Sequence, residues 1–68
     1  MFNLYKYKIK IIDNSIIIVD NFKQLLYFDN LLIKIDNIVI KGKDLKILIY
    51  EDCFIKIRGI IENVLFEI

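Results

Sequence analysis

Apolar and polar positions alternate with a period of two along almost the whole chain. From Leu4 to Ile12, Tyr5, Tyr7, Ile9 and Ile11 take one parity and Lys6, Lys8 and Lys10 the other. Successive side chains of a strand point to opposite faces, so this segment reads as a strand with one wet side. The same pattern predicts strands at Ser15 to Val19, Gln24 to Phe28, Leu31 to Ile35, Ile38 to Lys41, Leu45 to Tyr50, Phe54 to Arg58 and Asn63 to Glu67. Asp13-Asn14, Asp20-Asn21, Asp29-Asn30, Asp36-Asn37 and Glu51-Asp52 mark the turns, because Asp and Asn bond their own backbone and tolerate left-handed conformations. Two glycines, Gly42 and Gly59, add the remaining punctuation and are read as structural turn or bulge positions.

Eight short strands with regular turn signals predict one all-β domain spanning residues 1–68, a small antiparallel β-sandwich. Cutting after Asp20, Asp36 and Asp52 also gives sixteen-residue blocks, which would suit a β-solenoid-like stack of one coil per block. Short links favour antiparallel hairpins over that alternative, since parallel pairing needs longer crossovers.

Parity also sorts the core. Ile33, Ile35, Ile38, Ile40, Leu45, Ile47, Ile49, Ile55, Ile57, Val64 and Phe66 are expected to face inward. That leaves Leu32, Val39, Leu48, Tyr50, Phe54 and Leu65 on the opposite faces. These six lie under a second sheet or form an apolar patch, which would be the candidate partner-binding surface.

Composition sharpens the strand reading. Hydrophobic residues make up 57% of 68 positions, and seventeen residues are isoleucine, stiff at χ1 and suited to a pleated surface. Ala, Thr, Trp, His and Pro are absent, and Ile, Lys, Asn, Asp, Phe and Tyr are in surplus, the pattern of A/T-rich codons. Lysine content therefore counts for less as a binding signal. Ten basic against nine acidic residues give a net charge of +1, with no large single-sign field to steer polyanions. A lone Cys53 cannot form an internal disulfide and is expected as a buried structural thiol in a reducing compartment. No signal-peptide pattern opens the chain and no apolar run reaches membrane-span length, so the expectation is a soluble, cytoplasmic protein.

Candidate chemistry is sparse. Lys41-Gly42-Lys43-Asp44 lacks the preceding glycine, the hydroxyl and the following helix of a phosphate-binding loop. Without histidine, Ser15 and Cys53 have no imidazole partner, and the aspartates fall in turn pairs where capping explains them. No catalytic residue, cofactor site or metal site is assigned, because no ligand-dense loop of the calcium type exists. Tyr5 and Tyr7 beside Lys6, Lys8 and Lys10 raise the alternative of a small β-barrel binding single-stranded nucleic acid. Alternation puts those tyrosines and lysines on opposite faces, so nucleic acid is not the expected partner.

Two stretches carry a resemblance. Ile38-Val39-Ile40-Lys41-Gly42-Lys43-Asp44-Leu45-Lys46-Ile47 and Ile57-Arg58-Gly59-Ile60-Ile61-Glu62-Asn63-Val64-Leu65-Phe66 are similar to the YabP/YqfC family of small sporulation proteins. In that family a strand ending I-x-G precedes x-x-L-x-I, and the chain closes on G-x-I-x-x-V-x-F/Y. The segment VDNFKQLLYFDNLLIKI also resembles the family's central part, so the likeness spans roughly Ile9 to Glu67. Gln24 and Asn37 depart from it, standing where members often have Gly. The resemblance implies a non-enzymatic β-sandwich-like protein made in the mother cell, an assembly module in spore envelope formation. It also implies a position peripheral to the forespore envelope and a protein partner, typically a membrane protein encoded nearby; a homo-oligomer is the other partner considered.

Overall fold

A computed structural model of the chain describes residues 8–67. Six strands form: β1 (Lys8–Ile12), β2 (Ile16–Asp20), β3 (Leu25–Phe28), β4 (Leu32–Ile35), β5 (Ile38–Glu51) and β6 (Phe54–Phe66). All neighbours pair antiparallel, in the order β1-β2-β6-β5-β4-β3. The all-β antiparallel expectation holds, and the solenoid alternative does not, because no parallel pair exists among the described residues. The first predicted strand is seen from Lys8 onward; Tyr5, Lys6 and Tyr7 lie outside the described residues.

Eight expected strands become six because two pairs fuse. The segments Ile38 to Lys41 and Leu45 to Tyr50 are one strand, β5, and Phe54 to Arg58 and Asn63 to Glu67 are one strand, β6. Gly42 and Gly59, read as turn or bulge positions, sit inside these strands at irregularities. A straight 14-residue strand would run roughly 45 Å at about 3.3 Å per residue. The molecule's longest dimension is 36 Å, so the β5–β6 ribbon must bend. Three register shifts, at Lys41/Gly42, Lys43/Lys46 and Ile47/Ile49, locate the bending.

The bend divides one sheet into two layers. The first half of β5 and the second half of β6 join β4 and β3, and the other halves join β2 and β1. Ile17, Val19, Ile33, Ile35, Ile38, Ile40, Ile55 and Ile57 are fully buried between the layers, with Phe22, Leu45 and Ile61 nearly so. Ile9, Leu25, Ile47 and Val64 pack around them. At a transverse size of 23 × 22 Å, the fold is two sheets thick.

Most expected inward residues are buried. Ile49 is exposed because the shift at Ile47/Ile49 moves it to the outward parity, and Phe66 is exposed at the end of β6. Cys53 is not buried either: it lies exposed in the β5–β6 turn, where its carbonyl accepts the Asn21 N–H at 2.7 Å.

Turn chemistry follows the sequence. Asp13, Asn14, Asn21, Asp36 and Asp52 all have positive φ. Ser15 N–H donates to the Ile12 carbonyl around Asp13-Asn14, as the mirror-image hairpin turns require. Asp36 accepts the N–H groups of Lys23 and Gln24 at 2.9 and 2.8 Å, fastening the β2–β3 connection to the β4–β5 turn.

At the bend, a Cβ on Gly42 would stand 2.0 Å from the Ile60 carbonyl oxygen, and one on Gly59 2.8 Å from that of Asp44. Replacing Gly42 by Val is expected to destabilise the domain by about 3 kcal/mol or more, because backbone cannot yield there as a side chain can. For a core this small that removes most of the folding free energy. Urea denaturation of G42V measures it; an unchanged midpoint would mean that the strands do not approach each other at this point.

Candidate interaction surfaces

Backbone demands explain the residues that looked most like chemistry. Gly42 N–H donates to the Leu31 carbonyl at 3.1 Å, so the Lys41-Gly42-Lys43-Asp44 stretch has no glycine amide to offer a phosphate. Lys43 lies 3.9 Å from Glu62. Asp13, Asp36, Asp44 and Asp52 adopt positive φ at turns or bulges, and no group of three or more Asp, Glu, Cys or His gathers among the described residues. No helix long and apolar enough to cross a membrane occurs among them.

The six candidate partner-binding residues divide between the two layers. Leu32, Val39 and Leu65 share the outer face of the β3–β4–β5–β6 layer, where Val39 pairs with both Lys34 and Leu65. Val39 is only 6% exposed. The Lys34–Glu67 ion pair, 3.3 Å long, joins β4 to the end of β6 across β5 on this face and helps cover it. Leu48 and Phe54 lie on the outside of the other layer, Leu48 as the extra residue of a bulge. Tyr50 turns the other way and stacks on Phe22, with ring centroids 6.1 Å apart. The six do not make one patch.

A run of exposed apolar residues was missed by parity. Leu26, Tyr27, Phe28 and Leu31 are each about half exposed, between 48% and 58%. They belong to β3 and its following turn, and β3 is an outer strand of the sheet with no neighbour beyond it among the described residues. The register breaks between Leu25 and Tyr27, so Leu26 bulges out of the ladder. Sequence alone does not single it out: Leu25-Leu26-Tyr27-Phe28 has no lysine interleaved, but neither has Ile16–Asp20, an inner strand.

Tyr27 and Asp29 close this edge. Tyr27 O–H donates to Asp29 Oδ2 at 2.6 Å, while Asp29 Oδ1 accepts the N–H groups of Leu31 and Leu32, both at 2.8 Å. The hydroxyl bond, then the Leu31 amide, hold the Asp29 carboxyl below the usual carboxylate range; the same bond and charge push the Tyr27 hydroxyl up.

A second surface is cationic. On the outside of the β1–β2–β6–β5 layer the register sets two rows across four strands, Lys10-Ile18-Lys56-Ile49 and Ile12-Ile16-Arg58-Lys46. A third row at the far end, Lys8-Asp20-Phe54-Glu51, carries two carboxylates, one on either side of Phe54. Comparison of the chain with protein-family models, with curated proteins and with solved structures finds no match. Function therefore has to be argued from these two surfaces.

The Asp29 bonds predict an acid-sensitive edge. Because the folded carboxyl titrates lower than the unfolded one, its contribution is complete above the unfolded value of about 3.9 and fades as pH falls through the folded value. Asp29→Asn should thus lower the urea midpoint at about pH 7, and the difference should shrink progressively as the pH is taken down through the carboxyl's titration. A difference that stays constant with pH would show that the charge on Asp29 contributes nothing.

Proposed function

We propose that the protein is a non-enzymatic interaction and assembly module that recruits a protein partner by strand addition at β3. The observation carrying this reading is the contrast between the two sheet edges. β1 carries the exposed Lys10 between Ile9 and Ile11, and charge on an edge discourages another strand from pairing with it. β3 offers an edge four residues long, Leu25-Leu26-Tyr27-Phe28, without charge or proline and with Leu26, Tyr27 and Phe28 about half exposed. Main-chain bonds to such an edge supply affinity, and alternate side chains supply specificity. Leu31, in the turn that follows, is exposed beside it.

The resemblance to YabP/YqfC proteins supplies the setting. On that reading the protein acts in the mother cell during spore envelope formation, at the periphery of the forespore, with a membrane protein encoded nearby as partner. A second copy of the chain pairing edge to edge through β3 is the other occupant that fits, and it would make a two-fold dimer.

Phe28→Lys places a charge on the edge at a site already 58% exposed, so stability should change by less than about 0.5 kcal/mol. A fluorescent fusion of the wild-type chain is expected to concentrate at the forespore envelope in sporulating cells, and the F28K fusion to spread through the mother cell. Diffuse wild-type fluorescence throughout sporulation would overturn the envelope reading. Sedimentation velocity distinguishes the occupants, since a self-paired edge gives a dimer that F28K converts to monomer.

A further inference from the structure

We propose that the outer face of the β1–β2–β6–β5 layer binds an anionic phospholipid surface. Lys10, Lys56, Arg58 and Lys46 stand in two adjacent rows across four strands. At strand spacings of about 4.8 Å and a two-residue repeat of about 6.8 Å, they occupy an area roughly 15 by 7 Å. The ion pairs of the fold, Lys34–Glu67 and Lys43–Glu62, use other cations, so these four have no carboxylate within bonding distance among the described residues. In a chain of net charge +1, that is charge set apart from its balance. Part of the separation has a structural cause: Asp13, Asp36, Asp44 and Asp52 are committed to positive-φ turns and bulges, while Lys10, Lys46, Lys56 and Arg58 lie within strands and the strand carboxylates Asp20 and Glu51 fall in the row at the far end.

Four cations alone would attract any polyanion, and the residues between them select among polyanions. Ile12, Leu48 and Ile49 are exposed on this layer's outer side, with Ile16 and Ile18 half-buried between the cations. Single-stranded nucleic acid binds where bases can stack on aromatic rings. Here the only aromatic residue in the three rows is Phe54, held between Asp20 and Glu51, and Tyr50 stacks on Phe22. Aliphatic side chains flanked by lysines suit the boundary between headgroups and acyl chains instead, with ammonium and guanidinium groups on phosphates and apolar side chains below them. An open cleft of about 610 Å³ beside the second row, lined by Asp44, Lys46, Leu48, Arg58 and Gly59, gives a headgroup room against two cations and one carboxylate. This face is separate from the β3 edge, at the other end of the strand order, so lipid and a protein partner can be held together.

The test mixes the purified full chain with phosphatidylglycerol–phosphatidylcholine vesicles, with phosphatidylcholine vesicles and with oligo(dT), at about 0.1 M salt, where exposed charges are partly screened. Sedimentation with the anionic vesicles alone is expected, weakening as salt rises. Each cation near a charged bilayer is worth about fivefold in partitioning, so Lys46→Gln with Arg58→Gln should lower it about thirtyfold. Ile12→Ser with Ile49→Ser should weaken vesicle binding as well, which a purely ionic attraction would not show. Lys10→Gln with Lys56→Gln repeats the test on the first row if the other pair fails to fold by circular dichroism. Absence of binding to anionic vesicles, equal binding to neutral ones, tighter binding to oligo(dT), or partitioning unchanged in folded charge variants would each overturn the proposal.

Discussion

The close approach of β5 and β6 at Gly42, Leu45 and Gly59 is the constraint on which the rest of the fold depends. A single sheet of six strands cannot bury a face by itself, and the described residues include no helix to cover one. Bending the long ribbon solves the problem by folding the sheet onto itself. The Leu45 side chain, inward and nearly buried, fits against both glycine positions. Bending also interrupts ladder bonds, and buried backbone groups left unpaired are costly. Loops from either side repair the interruption: Leu31 and Asn30 carbonyls accept from Gly42 and Leu45, and Ser15 and Asn14 carbonyls accept from Gly59 and Ile61. The β1–β2 and β3–β4 hairpins are thereby fixed to the two sides of the same bend.

Turn chemistry sets the electrostatics as a by-product. With no proline and both glycines spent at the bend, Asp and Asn must supply the left-handed residues, and Asp13, Asn14, Asn21, Asp36, Asp44 and Asp52 do so. Four aspartates are drawn to turns and bulges in this way, while Lys10, Lys46, Lys56 and Arg58 lie within strands on one face. A nearly neutral chain acquires a cationic face in this way, without any run of basic residues in its sequence. Net charge is a poor guide to such a surface, because pairing across strands brings together Lys10, Lys46, Lys56 and Arg58 from widely separated positions.

Period-two patterning was enough to show the strand content, the turn positions and most of the core, since alternation of Ile with Lys leaves few other conformations for segments such as Lys8 to Ile12. It could not show where parity changes. Each register shift in β5 and β6 swaps inward for outward, which is why Ile49 is exposed, Ile61 is buried and Tyr50 faces Phe22. Two strands that run through a bend look, from sequence, like four strands separated by breaks. The candidate partner set failed to gather for the same reason: Leu32, Val39 and Leu65 share a face, while Leu48, Tyr50 and Phe54 lie beyond the bend. The β3 edge escaped notice because its apolar run does not alternate, and only pairing order shows that Leu25–Phe28 ends the sheet.

Edges in a small open sheet are exposed by necessity, and their side chains show how each one is managed. Had both edges resembled β1, lysine-bearing on one face, the sheet would present two guarded ends. β3 breaks that symmetry. An uncharged bulged edge carries an aggregation risk in a protein of this size, and it persists here beside a tyrosine–aspartate bond and two amide bonds that hold its closing turn in one geometry. Ordering the turn so firmly, while leaving the strand beside it open, lowers the entropy lost when another strand docks. The physical case for a partner at β3 rests on that pairing of an unguarded edge with a pre-ordered end.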